Sequence, residues 1–314
     1  MVNSSKGFKS TRLTAVNGVS FDIKKGETFG LVGESGCGKS TLSKVALRLS
    51  EATSGSVYYE GKDIYKMSFK QLRDIRRDMQ VVFQDPYDSL NPRLTLEELV
   101  AEPMRIHGVG TKEERHAHIK KLFEQVGLPP RLMVRYPHQL SGGQRQRLCI
   151  ARALALNPKF VVCDEAVSAL DVSIQAQILN LLLDLKEELG LTYLFISHNL
   201  SVVKFVSDRI GVMYFGRLVE LADKEELFQN VLHPYTYALL SAVPNPEPGK
   251  EKRRVLLQGS VPSLFNPPAG CIFHNRCPFT KDICKSKVPE LVDKGNNHSV
   301  ACHFADELTL ELDF

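Results

Sequence analysis

Eight residues near position 35 have the types and spacing to hold a phosphate. From Gly33 to Ser40 the chain reads GESGCGKS and fits G-x-x-x-x-G-K-[ST] in full, with an apolar run before it and a helical pattern after it. The glycines let the backbone curl so that successive N–H groups point inward at an anion. The positive end of a helix beginning near Lys39 adds to that field. Gly33, Ser35, Gly36, Cys37 and Gly38 form the cradle, Lys39 reaches for β- and γ-phosphates, Ser40 ligates Mg2+ and Thr41 sits beside the α-phosphate. The magnesium needs a second anchor, and KFVVCDEAVSALD supplies it: Phe160 to Cys163 read as a buried strand with Asp164 and Glu165 at its C-terminal edge. Asp164 suits an outer magnesium carboxylate, and Glu165 suits a base that polarises a water in line with the γ-phosphate. Either segment alone matches a glycine turn or a solvated strand end; together they read as one site for a nucleotide.

A second helix start of the same kind follows in LSGGQRQRLCIARALAL. Ser141 reads as an N-cap, Gly142 and Gly143 permit close backbone approach, and a helical pattern runs on from Gln144. Two anion-facing helix starts in one chain make sense if the second serves a nucleotide held by a partner.

The seven cysteines are unevenly spread. Cys37, Cys149 and Cys163 fall in apparent core segments, whereas Cys271, Cys277, Cys284 and Cys302 crowd the C-terminal part. The N-terminal segment is polar and lacks the apolar centre of a signal peptide, so disulfides are not the expected use. The gaps, C-x5-C, then C-x6-C, then a long interval, are wider than the tight C-x2-C pairs of zinc ribbons. They suit a bulkier centre, and four thiolates satisfy a 4Fe–4S cluster. Structural zinc, with His274, His298 or His303 as a partner ligand, and reduced free thiols remain open alternatives.

These groups need a scaffold, and the chain is long enough for one large domain and a smaller one: 314 residues, 43% hydrophobic and 24% charged. A formal charge of +4 is too weak to point to nucleic acid. No apolar run approaches the roughly 18–20 residues needed to span a bilayer. The stretch from Gly61 to Gly127 reads as helical rather than sheet, in MSFKQLRDIRRDMQ and TKEERHAHIKKLFEQVGL. After Val243, PNPEPGKEKRR reads as a linker, which divides the chain into 1–243 and 244–314, with a helical subdomain at about 85–157.

Taken in order, these motifs resemble those of the ATP-binding subunits of ABC transporters. The resemblance implies an α/β P-loop ABC-type nucleotide-binding domain, a mixed sheet core with a β-subdomain and a helical subdomain, and a small loop-rich cysteine-containing C-terminal module. LSGGQ resembles the family signature, which closes over ATP bound to the other subunit of a head-to-tail dimer. Gln84 in VVFQDP matches the Q-loop, which senses the γ-phosphate and stands with Ser40 and Asp164 at the magnesium. SALD, ending at Asp171, resembles the D-loop, and His198 in LFISHNL matches the switch histidine. Phe8 and Val16 stand where the family places its adenine contacts. QDPYDSLNPRLTLEELVAEPMRIHG and LHPYTYALLSAVP resemble the oligopeptide/dipeptide importer subgroup, whose tail carries a four-cysteine iron–sulfur module. That subgroup usually has proline where this chain has Ala166, so slightly looser geometry after Glu165 is expected. The resemblance implies an ATPase at the cytoplasmic face of the membrane, with permease subunits, a second ATPase chain (or a second copy) and, indirectly, an extracellular peptide-binding protein as partners. DMQVVFQDPYDSLNPR leans toward the second ATPase chain of the pair. The runner-up readings are a nickel importer ATPase of the same subgroup, a soluble ABC-type ATPase acting on nucleic acid or ribosomes, and a redox-sensing protein with a vestigial site.

Overall fold

The computed structural model describes residues 2–6, 9–242 and 267–310, with side chains from Leu13 onward. Phe8 lies outside the described residues. Strands β1 (Val2–Lys6) and β2 (Lys9–Leu13) pair antiparallel at the N-terminus. β3 (Thr28–Val32) is buried along its whole length and runs through the glycine loop into α1 (Lys39–Ala46). A short hairpin, β4 (Tyr58–Tyr59) and β5 (Lys62–Asp63), precedes α2 (Phe69–Ile75) and β6 (Met79–Val82). The helical reading of 61–127 is therefore corrected at two places: Lys62–Asp63 is hairpin strand, and Met79–Val82 is a strand of the main sheet. The four residues MQVV are too few to show a period of two, and the helical pattern of α2 runs into them.

Four helices follow: α3 (Pro86–Ser89), α4 (Leu96–Ile106), α5 (Lys112–Gln125) and α6 (Gly142–Leu154). α4, α5 and α6 each start on a capping box, Thr95 with Glu98, Thr111 with Glu114 and Ser141 with Gln144. In each, the hydroxyl accepts a free backbone N–H and the longer side chain returns to the cap. Next come β7 (Phe160–Asp164), α7 (Val172–Leu189), β8 (Thr192–Ser197), α8 (Leu200–Val206), β9 (Arg209–Tyr214) and β10 (Arg217–Asp223). α9 (Lys224–Gln229) and α10 (Pro234–Ser241) complete this part. From residue 267 onward, α11 (Asp282–Ser286), β11 (Val292–Asp293) and β12 (Ser299–Val300) belong to the cysteine segment.

Among the described residues, eight strands form one mixed sheet in the order β11-β12-β10-β9-β3-β8-β7-β6. The run β9-β3-β8-β7-β6 is parallel, and β10, β12 and β11 add antiparallel at one end. Parallel strands with helices on both faces must be apolar on both faces, which is why TFGLV and TYLFIS show no polar alternation. Alternate residues still go to different cores. Tyr193 and Phe195 join the cluster that extends into α4–α6, whereas Leu194 and Ile196 join Phe29, Leu31 and Leu42 on the α1 side. Among the described residues the cysteine segment has no separate core: Cys271, Phe273 and Cys284 sit in the same apolar cluster as the main sheet, and β12 extends that sheet by pairing with β10.

Candidate functional site

The C-terminal ends of four neighbouring parallel strands deliver the chemistry. β3 ends at the glycine loop, β8 ends just before His198, β7 ends at Asp164, and β6 ends two residues before Gln84. Val82 pairs with Cys163, so Gln84 lies beside the Asp164–Glu165 corner, in an exposed bend. Open parallel sheets bind ligands at this edge because the loops that leave it diverge there.

Within the loop, Gly36 and Gly38 adopt positive φ (80° and 105°). A side chain at Gly38 would run into the Ala15 carbonyl, so the segment carrying Val16 packs directly against the loop. Val16 is half-buried there, and Asn17 N–H donates to Gly216 O at 2.7 Å. Ser35 and Gly36 are exposed and Thr41 is half-buried, whereas Lys39 is 4% exposed. The Lys39 Nζ donates to the carbonyls of Gly33 (2.7 Å) and Glu34 (3.1 Å) and stands 4.0 Å from the Glu165 carboxylate. Cys37 turns inward, its Sγ 3.8 Å from that ammonium; burial raises its thiol, and the Lys39 charge counteracts only part of the rise.

Ser40 Oγ donates to one Asp164 oxygen and Ser43 Oγ to the other, both at 2.9 Å. A hydroxyl and a carboxylate side by side are the oxygen donors that Mg2+ takes, directly or through water. The Glu165 side chain is 13% exposed, and its second oxygen lies 3.4 Å from His198 Nδ1. Its backbone is held in the left-handed region (φ 52°) by three hydrogen bonds: Glu165 N–H to Ile196 O, and Ser168 N–H and Oγ–H to Glu165 O. Ala166, next in the chain, is 2% exposed.

The signature residues form the start of α6. Gln144 N–H donates to Ser141 Oγ (3.3 Å) and Ser141 N–H to Gln144 Oε1 (3.1 Å). Gly142 has room for a side chain; Gly143 has none, because a Cβ there would stand 2.6 Å from Ile174 Cγ2 of α7. Asp171 is exposed at the N-cap of α7 without a side-chain cap bond.

Cys271, Cys277, Cys284 and Cys302, from separate segments, line one small cavity walled by Phe273, Phe279 and Phe304. Burial first, and then the proximity of one another's charge, pushes Cys271, Cys277 and Cys302 up to about 11. Left to themselves these are neutral thiols at pH 7, and a cationic centre would reverse that balance. Among the described residues, no three His, Cys, Asp or Glu side chains already stand in metal-ligating geometry. His298 is turned away from the cavity, bonded by Nε2 to Glu220 (2.8 Å) and by Nδ1 to Glu226 (3.4 Å), which removes it from the zinc alternative. His274 and His303 each have one nitrogen on a backbone oxygen, of Cys271 and Lys287, and line the cavity.

Residues 16–168 match the family described as ABC transporter, and residues 219–284 match the oligopeptide/dipeptide transporter C-terminal region. The oligopeptide transport ATP-binding protein AppF of Bacillus subtilis is 55% identical over 92% of this chain and 89% of its own length. A putative peptide import ATP-binding protein of Brucella ovis is 51% identical over 94% and 93%. This chain belongs to the ABC transporter ATP-binding family. A dimeric bacterial ABC transporter cassette superposes on it with a TM-score of 0.63 at 32% identity, over 71% of this chain and 95% of that one. A cassette solved as a dimer in a post-hydrolysis state with ADP and phosphate gives 0.62 at 32%, over the same shares.

In this ABC ATPase the structure brings Lys39, Ser40, Asp164, Glu165 and His198 into contact, and it leaves the signature helix start bonded within its own turn. Ser43 was not anticipated. Its only sequence signal is the spacing Ser40-x-x-Ser43, which places both hydroxyls on one face of α1. Among the described residues no helix is long and apolar enough to cross a membrane.

Proposed function

We propose that this chain is the ATP-hydrolysing subunit that energises import of oligopeptides or dipeptides, bound peripherally at the cytoplasmic face of the membrane. The observation that carries the reading is the contact of Lys39, Glu165 and His198 at one sheet edge, next to a Ser40–Asp164 pair. Match of residues 219–284 to the oligopeptide/dipeptide transporter C-terminal region favours peptides over nickel or nucleic acid as the business of the site.

In this proposal Lys39 leaves the Gly33 and Glu34 carbonyls to meet the β- and γ-phosphates, while the N–H groups of residues 35–41 cradle them. Ser40, with Asp164 and Gln84 behind it, holds the magnesium, which when bound offsets the charge that builds on the phosphoryl oxygens. Glu165 takes a hydrogen bond from the attacking water, and His198 steadies both that carboxylate and the γ-phosphate. Val16, and Phe8 from outside the described residues, are the proposed adenine contacts. The start of α6 (Ser141, exposed, and Gly142, Gly143 and Gln144, half-buried) and Asp171 face the ATP of the opposing subunit, and closure of that dimer drives the permease. The opposing subunit is a second ATPase chain or a second copy, and peptide arrives through an extracellular binding protein. Residues 1–243 form the nucleotide domain, with a helical part at about 85–157, and 244–314 form the linker and cysteine module. The four thiols around one apolar cavity support a 4Fe–4S centre held by Cys271, Cys277, Cys284 and Cys302, structural zinc being the alternative.

Two measurements test this. Turnover of MgATP by the chain assembled with its membrane subunits in liposomes should rise on adding peptide-loaded binding protein; stimulation by RNA or DNA instead would overturn it. Protein purified without oxygen should carry about four irons and four acid-labile sulfides, absent from Cys277→Ser; one zinc and no sulfide would make the module a structural staple.

A further inference from the structure

The first variable residue of the phosphate loop, Glu34, is held from three sides. Its carboxylate accepts two parallel hydrogen bonds from the Arg276 guanidinium, Nη1 to Oε2 at 2.7 Å and Nη2 to Oε1 at 3.0 Å. Its N–H donates to Tyr235 Oη at 2.9 Å, and its carbonyl accepts from Lys39 Nζ at 3.1 Å. Arg276 lies one residue before Cys277, 242 positions away from the loop in sequence. The family match accounts for a loop and for a C-terminal module, but not for a bond between them.

We propose that Arg276 is a positioning residue of the ATP site: through Glu34 it ties the cysteine module to the phosphate loop, so that the packing of the module sets the affinity for MgATP. The proposal rests on the nucleotide reading of the loop and is independent of what occupies the cysteine cavity.

The contact has the form of a lever rather than of a loose surface pair. A fork-to-fork arginine–carboxylate pair fixes both distance and plane, unlike a point-charge pair. The Arg276 side chain is 8% exposed and that of Glu34 28%, so the guanidinium is shielded from water and the carboxylate partly so. Hydrogen bonding to Glu34 holds the guanidinium above its ordinary range, so it stays charged. The base of the lever is rigid. Arg276 N–H donates to Phe273 O at 2.9 Å, and Phe273 (1% exposed) packs edge-on against Tyr214 and Tyr235, with centroids at 5.2 and 5.4 Å. Tyr235 is the same side chain whose hydroxyl holds the Glu34 N–H. The module therefore touches Glu34 directly through Arg276 and indirectly through the aromatic stack. Shifting Cys271 or Cys277 moves Phe273 and Arg276 together, and with them the residue whose carbonyl shares Lys39. The phosphate contacts demand a loop placed to a fraction of an ångström, so a small displacement at Glu34 is felt by the nucleotide.

Binding of a non-hydrolysable MgATP analogue to the full-length chain, read by fluorescence, tests the link. Arg276→Ala and Glu34→Gln should each weaken binding about tenfold, a coupling of about 1.4 kcal/mol. The double variant should be no weaker than either single one, because both remove the same contact. Arg276→Lys, which keeps the charge and loses the fork, should fall between. Reciprocity requires that the analogue also protect the module: amide exchange over 270–287 should slow on binding in the wild type and not in Arg276→Ala. Affinities within twofold of wild type, or additive effects, would overturn the proposal, as would exchange over 270–287 that ignores the nucleotide in the wild type. If Arg276→Ala fails to fold, Glu34→Gln and Arg276→Lys still decide it. A wild-type chain that binds no nucleotide would instead sink the reading of the loop itself.

Discussion

His298 fastens the cysteine module to the main sheet, and its loss should be felt far beyond one side chain. It is 1% exposed and reaches across to Glu220, which is fully buried on β10, beside the β10–β12 pairing that joins the module to the sheet. Glu220 also accepts the N–H groups of Leu232 (2.6 Å) and His233 (3.2 Å), so one carboxylate ties β10, the start of α10 and the module together. Burial works against the imidazolium, but Glu220 and then Glu226 outweigh it, and the His298 pKa is raised above 6.5. His233, the other buried histidine nearby, is pushed down by burial to about 3 and stays neutral throughout. Truncating one member of a buried ion pair strands the other, a cost of about 3–5 kcal/mol. His298→Ala should therefore lower the opening free energy of β12 by about that amount. The sign with pH follows from the raised value. The pair's contribution is full below pH 6.5, the ordinary histidine value, and is lost as pH rises through the higher folded value. Amide exchange over residues 292–300, corrected for intrinsic rates, reads both effects. A loss of less than about 1 kcal/mol in His298→Ala, or wild-type protection that grows as pH rises from about 6.5 to about 8.5, would rule out this role for the His298–Glu220 pair.

Three further outcomes are expected. Glu165→Gln keeps the Lys39 and His198 neighbours but removes the proton acceptor, so single-turnover hydrolysis should fall by about 10²–10⁴ while analogue binding persists; undiminished turnover would remove Glu165 from its proposed role. Ser43→Ala leaves one buried Asp164 oxygen without its donor, which should cost about 1–3 kcal/mol in urea unfolding and raise the Mg2+ requirement of ATP hydrolysis; an unchanged magnesium titration would confine Ser43 to stability. Gly143→Ala forces a methyl against Ile174, and a loss of about 1–3 kcal/mol is expected from melting curves, independent of any effect on the dimer.

Much of the site is legible in the sequence because its parts are local. The glycine loop, the Ser141 cap and the Asp164–Glu165 pair are each set by spacings of a few residues, which the backbone turns into geometry without help from elsewhere. Reading fails where a local pattern is too short or has two uses. Met79–Val82 continues a helical run by composition yet pairs as a strand with Phe160–Cys163, because a place beside β7 satisfies its backbone groups. His298 sits four residues before Cys302, and in sequence it looks as good a metal ligand as His303. Both its ring nitrogens face carboxylates of the main domain instead. Gly143 belongs to a motif read for a ligand, and it also meets a purely internal need, the close approach of α6 to α7.

Residue type and short-range spacing are enough to show that the chain has a phosphate loop, a carboxylate pair and a four-cysteine tail. Which of these touch depends on how the sheet and helices pack. Lys39 and His198 both meet Glu165 because β3, β8 and β7 are neighbours in the sheet. Arg276 meets Glu34, and the four cysteines come to line one cavity, because β12 docks on β10 and Phe273 enters the cluster around Tyr214. The Lys39–Glu165 and Arg276–Glu34 contacts each close loops of more than a hundred residues, and their geometry comes from the packing of whole layers, which no single stretch of chain encodes.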